Sequence, residues 1–220
     1  HLDPRHLQQF NELCSIEGND IFITYPYTIA GPLMLALFAH QDFPIKAAGL
    51  LHLRNRISQI KRIERNQALH FKVFTGQSRF RAQGFEFDIH STVSVGSETV
   101  WTCKSTFLKK GKFDKGDAAD PDESLFTKLD PTTEAAGSFT VPANIGKLYA
   151  KVCKDYNPIH ISNIAAMLFG YKRSIAHGMW AIAKGANLAY PGRDISNLDV
   201  AFKGPVFSKS RVSIITSQND

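Results

Sequence analysis

Two stretches of this 220-residue chain echo one another, and the echo constrains the fold more than any other feature. Ile29-Ala30-Gly31-Pro32-Leu33-Met34 resembles Ile175-Ala176-His177-Gly178-Met179-Trp180, and each is expected to open an apolar helix. A strand-like run follows each at nearly the same distance: Leu51-His52-Leu53 and Leu198-Asp199-Val200, 147 residues apart. Duplication of one helix-plus-sheet unit accounts for both. The first copy continues past its second strand through residues 79–108, whereas the sequence stops at Asp220. Repeat logic therefore expects about 35 further residues, or cover from another chain, because a sheet without its last strands has an open edge.

Composition narrows the class. The chain is 43% hydrophobic and 21% charged, which is ordinary for a globular protein. Its longest apolar run, residues 29–39, falls well short of the roughly 20 residues that cross a bilayer, so a membrane protein is not expected. The first residues do not form a basic-then-apolar leader, and a start at His1 rather than Met is expected of a processed end or of a boundary within a longer protein. Cys14, Cys103 and Cys153 are few, odd in number and far apart, which points to a reducing, cytoplasmic compartment rather than a disulfide framework. No CxxC or HExxH spacing occurs, so no metal site is expected. The formal charge of +6 favours anionic partners, but no nucleic-acid-binding motif accompanies it, and nucleic acid is not expected.

Along the chain, a helix is expected over residues 4–14, a strand over 21–27 and a buried helix over 32–40 behind Pro32. Alternating stretches at 50–63, 68–75, 79–95 and 99–108 read as strands, the third long enough for a bent strand or a hairpin around Gly84. Residues 109–138 change character and read as a linker. Helices are expected at 145–152, 162–169 (Ser162 as cap, Gly170 as stop) and 178–189, and strands at 198–207 and 211–216. The expected division is 1–115 as a first domain, 116–137 as a linker and 138–220 as a second domain.

The chemistry concentrates in Tyr149-Ala150-Lys151-Val152-Cys153-Lys154-Asp155-Tyr156-Asn157-Pro158-Ile159-His160, followed fifteen residues on by Ile175-Ala176-His177-Gly178-Met179. Pro158 biases Asn157 away from helix, so a turning loop can bring the Asp155 carboxylate and the His160 imidazole toward one point. Such a pair suits general acid–base work on one water, with Asn157 holding the loop or the water. Gly178 opens a helix, where a bare N–H and the partial positive charge of the helix end favour an oxyanion. Asp and Asn before Pro are also common turn formers, and the short pattern alone is ambiguous.

The combination resembles the MaoC-like acyl dehydratases, the (R)-specific or type-2 enoyl-CoA hydratases, over residues 149–187, and more narrowly their double-hotdog members. The resemblance implies an α+β double hotdog: two antiparallel sheets, each wrapped round a central helix, the second copy lacking its last strands. It makes 1–115 a degenerate N-terminal hotdog and 138–220 the C-terminal hotdog that carries the motif. It implies a hydro-lyase that reversibly hydrates a trans-2-enoyl-CoA, or the same acyl group on a carrier protein, to the (R)-3-hydroxyacyl thioester in fatty-acid or related acyl metabolism. Asp155 and His160 would be the acid–base pair, Asn157 a support for the water, and the Gly178 N–H a donor to the thioester oxygen. No cofactor is implied beyond the CoA or phosphopantetheine of the substrate, and a homodimer is allowed.

One departure stands out: Lys154 occupies the place of the family's Gly, and it either is tolerated, weakens the loop or meets phosphate. Weaker substrate-binding candidates are His177, Ser174, Met179, Lys154 and Arg54. His177 reads either as a second catalytic histidine or as a residue that positions the helix start; Met179 reads as core and acyl-tunnel lining. Arg54, within Leu51-His52-Leu53-Arg54-Asn55-Arg56, either meets phosphates or an acidic carrier or pairs with acids. Alternatives to the lyase are a non-catalytic hotdog subunit that binds acyl thioesters and a hotdog thioesterase; the latter should lack Asp-x-Asn-Pro-x-His.

Overall fold

The protein is described by a computed structural model covering residues 1–18, 20–111 and 135–216. The described elements are α1 (Pro4–Cys14), α2 (Tyr25–Ala39), β1 (Leu50–Gln59), β2 (Leu69–Arg81), β3 (Gly84–Val95), β4 (Glu98–Lys110), β5 (Ala135–Thr140), α3 (Ile145–Cys153), α4 (Pro158–Ile161), α5 (Asn163–Leu168), α6 (Gly178–Ala189), β6 (Asn197–Ala201) and β7 (Arg211–Ile215). They form two compact units. One comprises His1–Leu2, Ile23–Phe126 and Ile195–Lys203; the other comprises Asp3–Phe22, Thr127–Asp194 and Gly204–Asp220.

The first unit holds a five-stranded antiparallel sheet in the order β2-β3-β4-β1-β6, with α2 packed on β2 and β3. Side chains alternate across the sheet, so Phe87, Ile89 and Phe107 face α2 and meet Met34 and Phe38 in the core. The Phe38 ring stands edge-on to Phe107 at 5.2 Å. The two echo strands are neighbours: β1 and β6 pair antiparallel, and the facing pair Arg54 and Ala201 is itself 147 residues apart. That is the centre expected when copies of one strand pair antiparallel.

The helix α2 departs from expectation. Residues 21–27 were expected as a strand, but Tyr25 already begins the helix, with Thr24 as cap and Pro26 in its first turn. Proline suits that position, because its missing N–H has no partner there anyway, and burial of Tyr25, Thr28 and Ala30 outweighs the β-branched bias. Pro32 consequently sits inside the helix rather than opening it. The runs 68–75 and 79–95 also resolve differently: β2 continues unbroken to Arg81, and a tight turn joins it to β3 at Gly84. Gly84 has φ +152°, and a Cβ there would overlap the Lys109 carbonyl. The strand expected over 198–207 ends at Ala201, and Phe207 makes only an isolated bridge with Ile175.

In the second unit, β5 and β7 pair antiparallel beside α6. The amphipathic α1 buries Leu7, Phe10 and Cys14, packing on α3 and α6, and Trp180 donates its indole N–H to the Leu13 carbonyl at 2.8 Å. The units therefore cross the boundaries read from the sequence: residues 3–22 cluster with the second half, and 195–203 with the first. Hydrophobic packing recruits α1, and strand pairing recruits β6. Of the expected linker, residues 116–134 lie outside the described residues, and 135–137 belong to β5.

Candidate active site

The site is built on how α3 ends. Lys154 caps it in the left-handed region (φ +56°), which turns the chain sharply and brings Asp155 out half-buried. The Asp155 Oδ1 accepts the Asn157 N–H at 3.0 Å, an Asx-type turn. Asn157 then caps the single turn α4, its Oδ1 accepting the Ile159 N–H at 3.4 Å with Pro158 in the first position. A turning loop was expected here, and the short helix delivers His160 more rigidly. Gly146 makes the approach feasible: a Cβ on it would overlap the His160 carbonyl oxygen.

Two backbone carbonyls set both histidine tautomers. His160 Nδ1 donates to the Ile175 carbonyl at 3.0 Å, leaving Nε2 with its lone pair, 3.9 Å from Asp155 Oδ2. His177 Nε2 donates to the Asp155 backbone carbonyl at 2.9 Å and also lies 3.9 Å from Oδ2. The two rings stack at 3.9 Å. Burial pulls the His160 pKa below its ordinary value, against the Ile175 hydrogen bond and the Asp155 charge. Burial, then the neighbouring His160, lowers His177 to about 4. Both rings are therefore neutral at pH 7, and His160 is available as a base. The 3.9 Å gap is too long for a direct hydrogen bond, yet both atoms can touch one water.

Gly178 begins α6, and the preceding His177 gives it no side-chain cap. The first N–H groups of a helix lack intrahelical partners and lie at its positive end. Asp155, His160, His177, Asn157 and Gly178 thus belong to one arrangement within one compact unit. Met179 is buried in the first turn of α6. Ser174 is buried, its Oγ donating to Ser208 Oγ at 3.0 Å and its N–H donating to Asn163 Oδ1 at 2.9 Å. Those bonds tie the 171–177 loop in place. The Lys154 side chain is exposed.

Arg54 lies elsewhere, on β1 in the other compact unit, and pairs with Glu86 at 3.0 Å. Arg79 and Arg81 share that carboxylate. Pairing with acids is thus the reading that the Arg54 contacts support.

The ligand-type atoms of Asp155, His160 and His177 lie within 4.8 Å of one another. His177 commits its Nε2–H to a carbonyl, so the donors left at the centre are one imidazole lone pair and one carboxylate. That is one short of the three protein ligands usual for catalytic zinc. Cys153, beside the loop, is buried, and burial pushes its thiol up to about 12, against a role as nucleophile. Gly146, Asn163 and Ser208 also support the site, and no motif in the sequence marks them. A glycine inside a helix costs about 1 kcal/mol relative to alanine, and that was the available signal for Gly146.

A family model described as "MaoC like domain" matches residues 121–220. The 3-hydroxyacyl-thioester dehydratase X of Mycobacterium tuberculosis is 32% identical over 221 residues, spanning all of this chain and 78% of that protein. The crystal structure of HtdX from the same organism superposes with a TM-score of 0.82 at 26% identity, over all of this chain and 86% of that one. A MaoC-like dehydratase from Phytophthora capsici shares the fold alone, with a TM-score of 0.69 at 18% identity over 96% of this chain and 81% of that one. Fold and motif together define a hotdog protein of the dehydratase kind, α+β, with two strands described in the second sheet. The chain belongs to the MaoC-like dehydratase family.

Proposed function

We propose that this protein hydrates trans-2-enoyl thioesters reversibly to (R)-3-hydroxyacyl thioesters, with Asp155 and His160 as the acid–base pair. One observation carries the reading: with His160 Nδ1 donating to the Ile175 carbonyl, its Nε2 is left as an acceptor 3.9 Å from the Asp155 carboxylate. A water held by both gives its oxygen to C3 of the enoyl group. The proton it loses passes to the pair and is returned to C2 on the same face, so one water is added across the double bond. Negative charge develops on the thioester oxygen meanwhile, and the Gly178 N–H at the start of α6 favours that state over the ground state. Asn157 holds Asp155 and α4 in register. The only prosthetic chemistry in this reading is the substrate's own phosphopantetheine arm. No described helix is long and apolar enough to cross a membrane. Three buried free thiols support a reducing, cytoplasmic setting.

The test is loss of the conjugated enoyl absorbance with crotonyl-CoA and a longer trans-2-enoyl-CoA. Asp155→Asn and His160→Ala should each lower kcat at least about 100-fold while leaving the fold intact. A folded protein that binds acyl-CoA but turns over neither thioester would favour the non-catalytic binding subunit.

A further inference from the structure

The surface around the candidate site is unusual in both charge and polarity. Between Ala135 and Arg193 the sequence carries seven lysines and arginines and one acid, Asp155. This stretch alone accounts for the chain's formal +6. Lys147, Lys151 and Lys154 are exposed at spacings of four and three residues, one stripe along α3 and its cap, and Lys172 and Arg173 are exposed just past α5. Next to the helix that carries His160, α5 leaves its large apolar side chains in solvent: Ile164 is 70% exposed, Met167 54%, Leu168 83% and the capping Phe169 59%. Tyr156, in the catalytic loop, is 53% exposed. A short helix with this much apolar surface open beside a functional loop reads as a contact surface.

We infer that α5 and the surrounding lysines dock an acidic carrier protein that presents the enoyl group as a phosphopantetheine thioester. This rests on the hydratase reading and specifies the form of its substrate. The two halves of the surface decide between the two thioester carriers. The phosphates of CoA would answer the lysines but give Ile164, Leu168 and Phe169 nothing apolar to cover. A protein with an acidic, partly apolar helix answers both, and charge complementarity would speed its encounter in a salt-dependent way.

The experiment compares kcat/KM for crotonyl groups carried by CoA and by a bacterial acyl-carrier protein, with wild type, Leu168→Ser and Lys172→Glu. Neither residue touches the acid–base pair. Expected are a fall of about tenfold on the carrier substrate for each variant, a change under twofold on crotonyl-CoA, and a steep loss of carrier turnover between 50 and 200 mM salt, about tenfold. Equal losses on both substrates, or none on either, would overturn the docking surface. Fluorescence anisotropy of labelled holo-carrier separates this from failure of the hydratase reading. Binding that the variants weaken supports docking even without turnover, and no binding by wild type overturns it. Sedimentation with anionic vesicles in place of carrier binding, or self-association abolished by Leu168→Ser, would assign the surface to a membrane or to a second copy and would overturn it too.

Discussion

Lys154 holds a backbone conformation that costs a side-chain-bearing residue roughly 1–2 kcal/mol. Its side chain is exposed, so glycine can replace it without leaving a cavity. Lys154→Gly should raise stability by about 1 kcal/mol, read as a higher denaturation midpoint with an unchanged slope. The loop geometry is already that of a left-handed cap, so turnover of crotonyl-CoA should change little. A large gain in rate would instead show that the lysine distorts the loop. At His160, burial lowers the pKa, so the neutral base persists below the usual range near 6.5. The acid limb of kcat/KM should accordingly fall below pH 6.5, since activity is lost only as pH drops through the folded-state value. A limb above 7 would exclude His160 as the base. The motif residues were legible because side-chain chemistry is written in the sequence. The tautomers were not, since the carbonyls of Ile175 and Asp155 that set them belong to no motif.

Among elements, the least legible was α2. Its β-branched and aromatic start favours a strand locally, and only burial against the sheet shows that the helix begins at Tyr25. Helices α1, α3 and α6 are legible nearly to the residue because their helical apolar spacing is clear, and Asp3 adds a side-chain cap to α1. Strand β6 is shorter than its sequence suggests because the apolar residues among 202–207 continue beyond its pairing with β1. Helix α3 carries a separate prediction. Gly146→Ala forces α3 and α4 apart, since backbone rather than a flexible side chain blocks the added methyl. Activity should fall by at least tenfold, with His160 displaced and the helix itself no less helical by circular dichroism. In the first unit, Phe38→Ala removes a ring packed edge-on against Phe87 and Phe107 and should cost about 3–5 kcal/mol in chemical denaturation.

Across the whole molecule, buried ionisable groups tie stability to pH. Burial raises the Asp88 carboxyl, but bonds from Arg79 and Thr106 outweigh it and hold the pKa below the usual range. Its stabilising contribution is present above the unfolded value near 3.9 and fades as pH falls through the folded one. His52, half-buried and packed against the rings of Phe107 and Phe202, is pulled to about 4, mainly by loss of solvent around the imidazole. An unfolded chain binds its proton already near 6.5, so stability declines as pH drops from 6.5 toward 4. His52 alone should remove about 3 kcal/mol by pH 4, and its imidazole resonance should not titrate above pH 5 in the folded protein. The mixed helix and antiparallel-sheet architecture was legible from the family resemblance, but the grouping of α1 with the second half and of β6 with the first was not, because it depends on contacts far apart in sequence. The run of α2 through Gly31 and Pro32 has a last consequence. At the place where the second half presents an uncapped helix start, the first has mid-helix backbone and a proline with no hydrogen to give. Grafting an Asp-Tyr-Asn-Pro-Ile-His loop into the first half would thus yield a loop without its electrophilic counterpart. A tight-binding mimic of the enolate should titrate at one equivalent per chain, before and after such a graft.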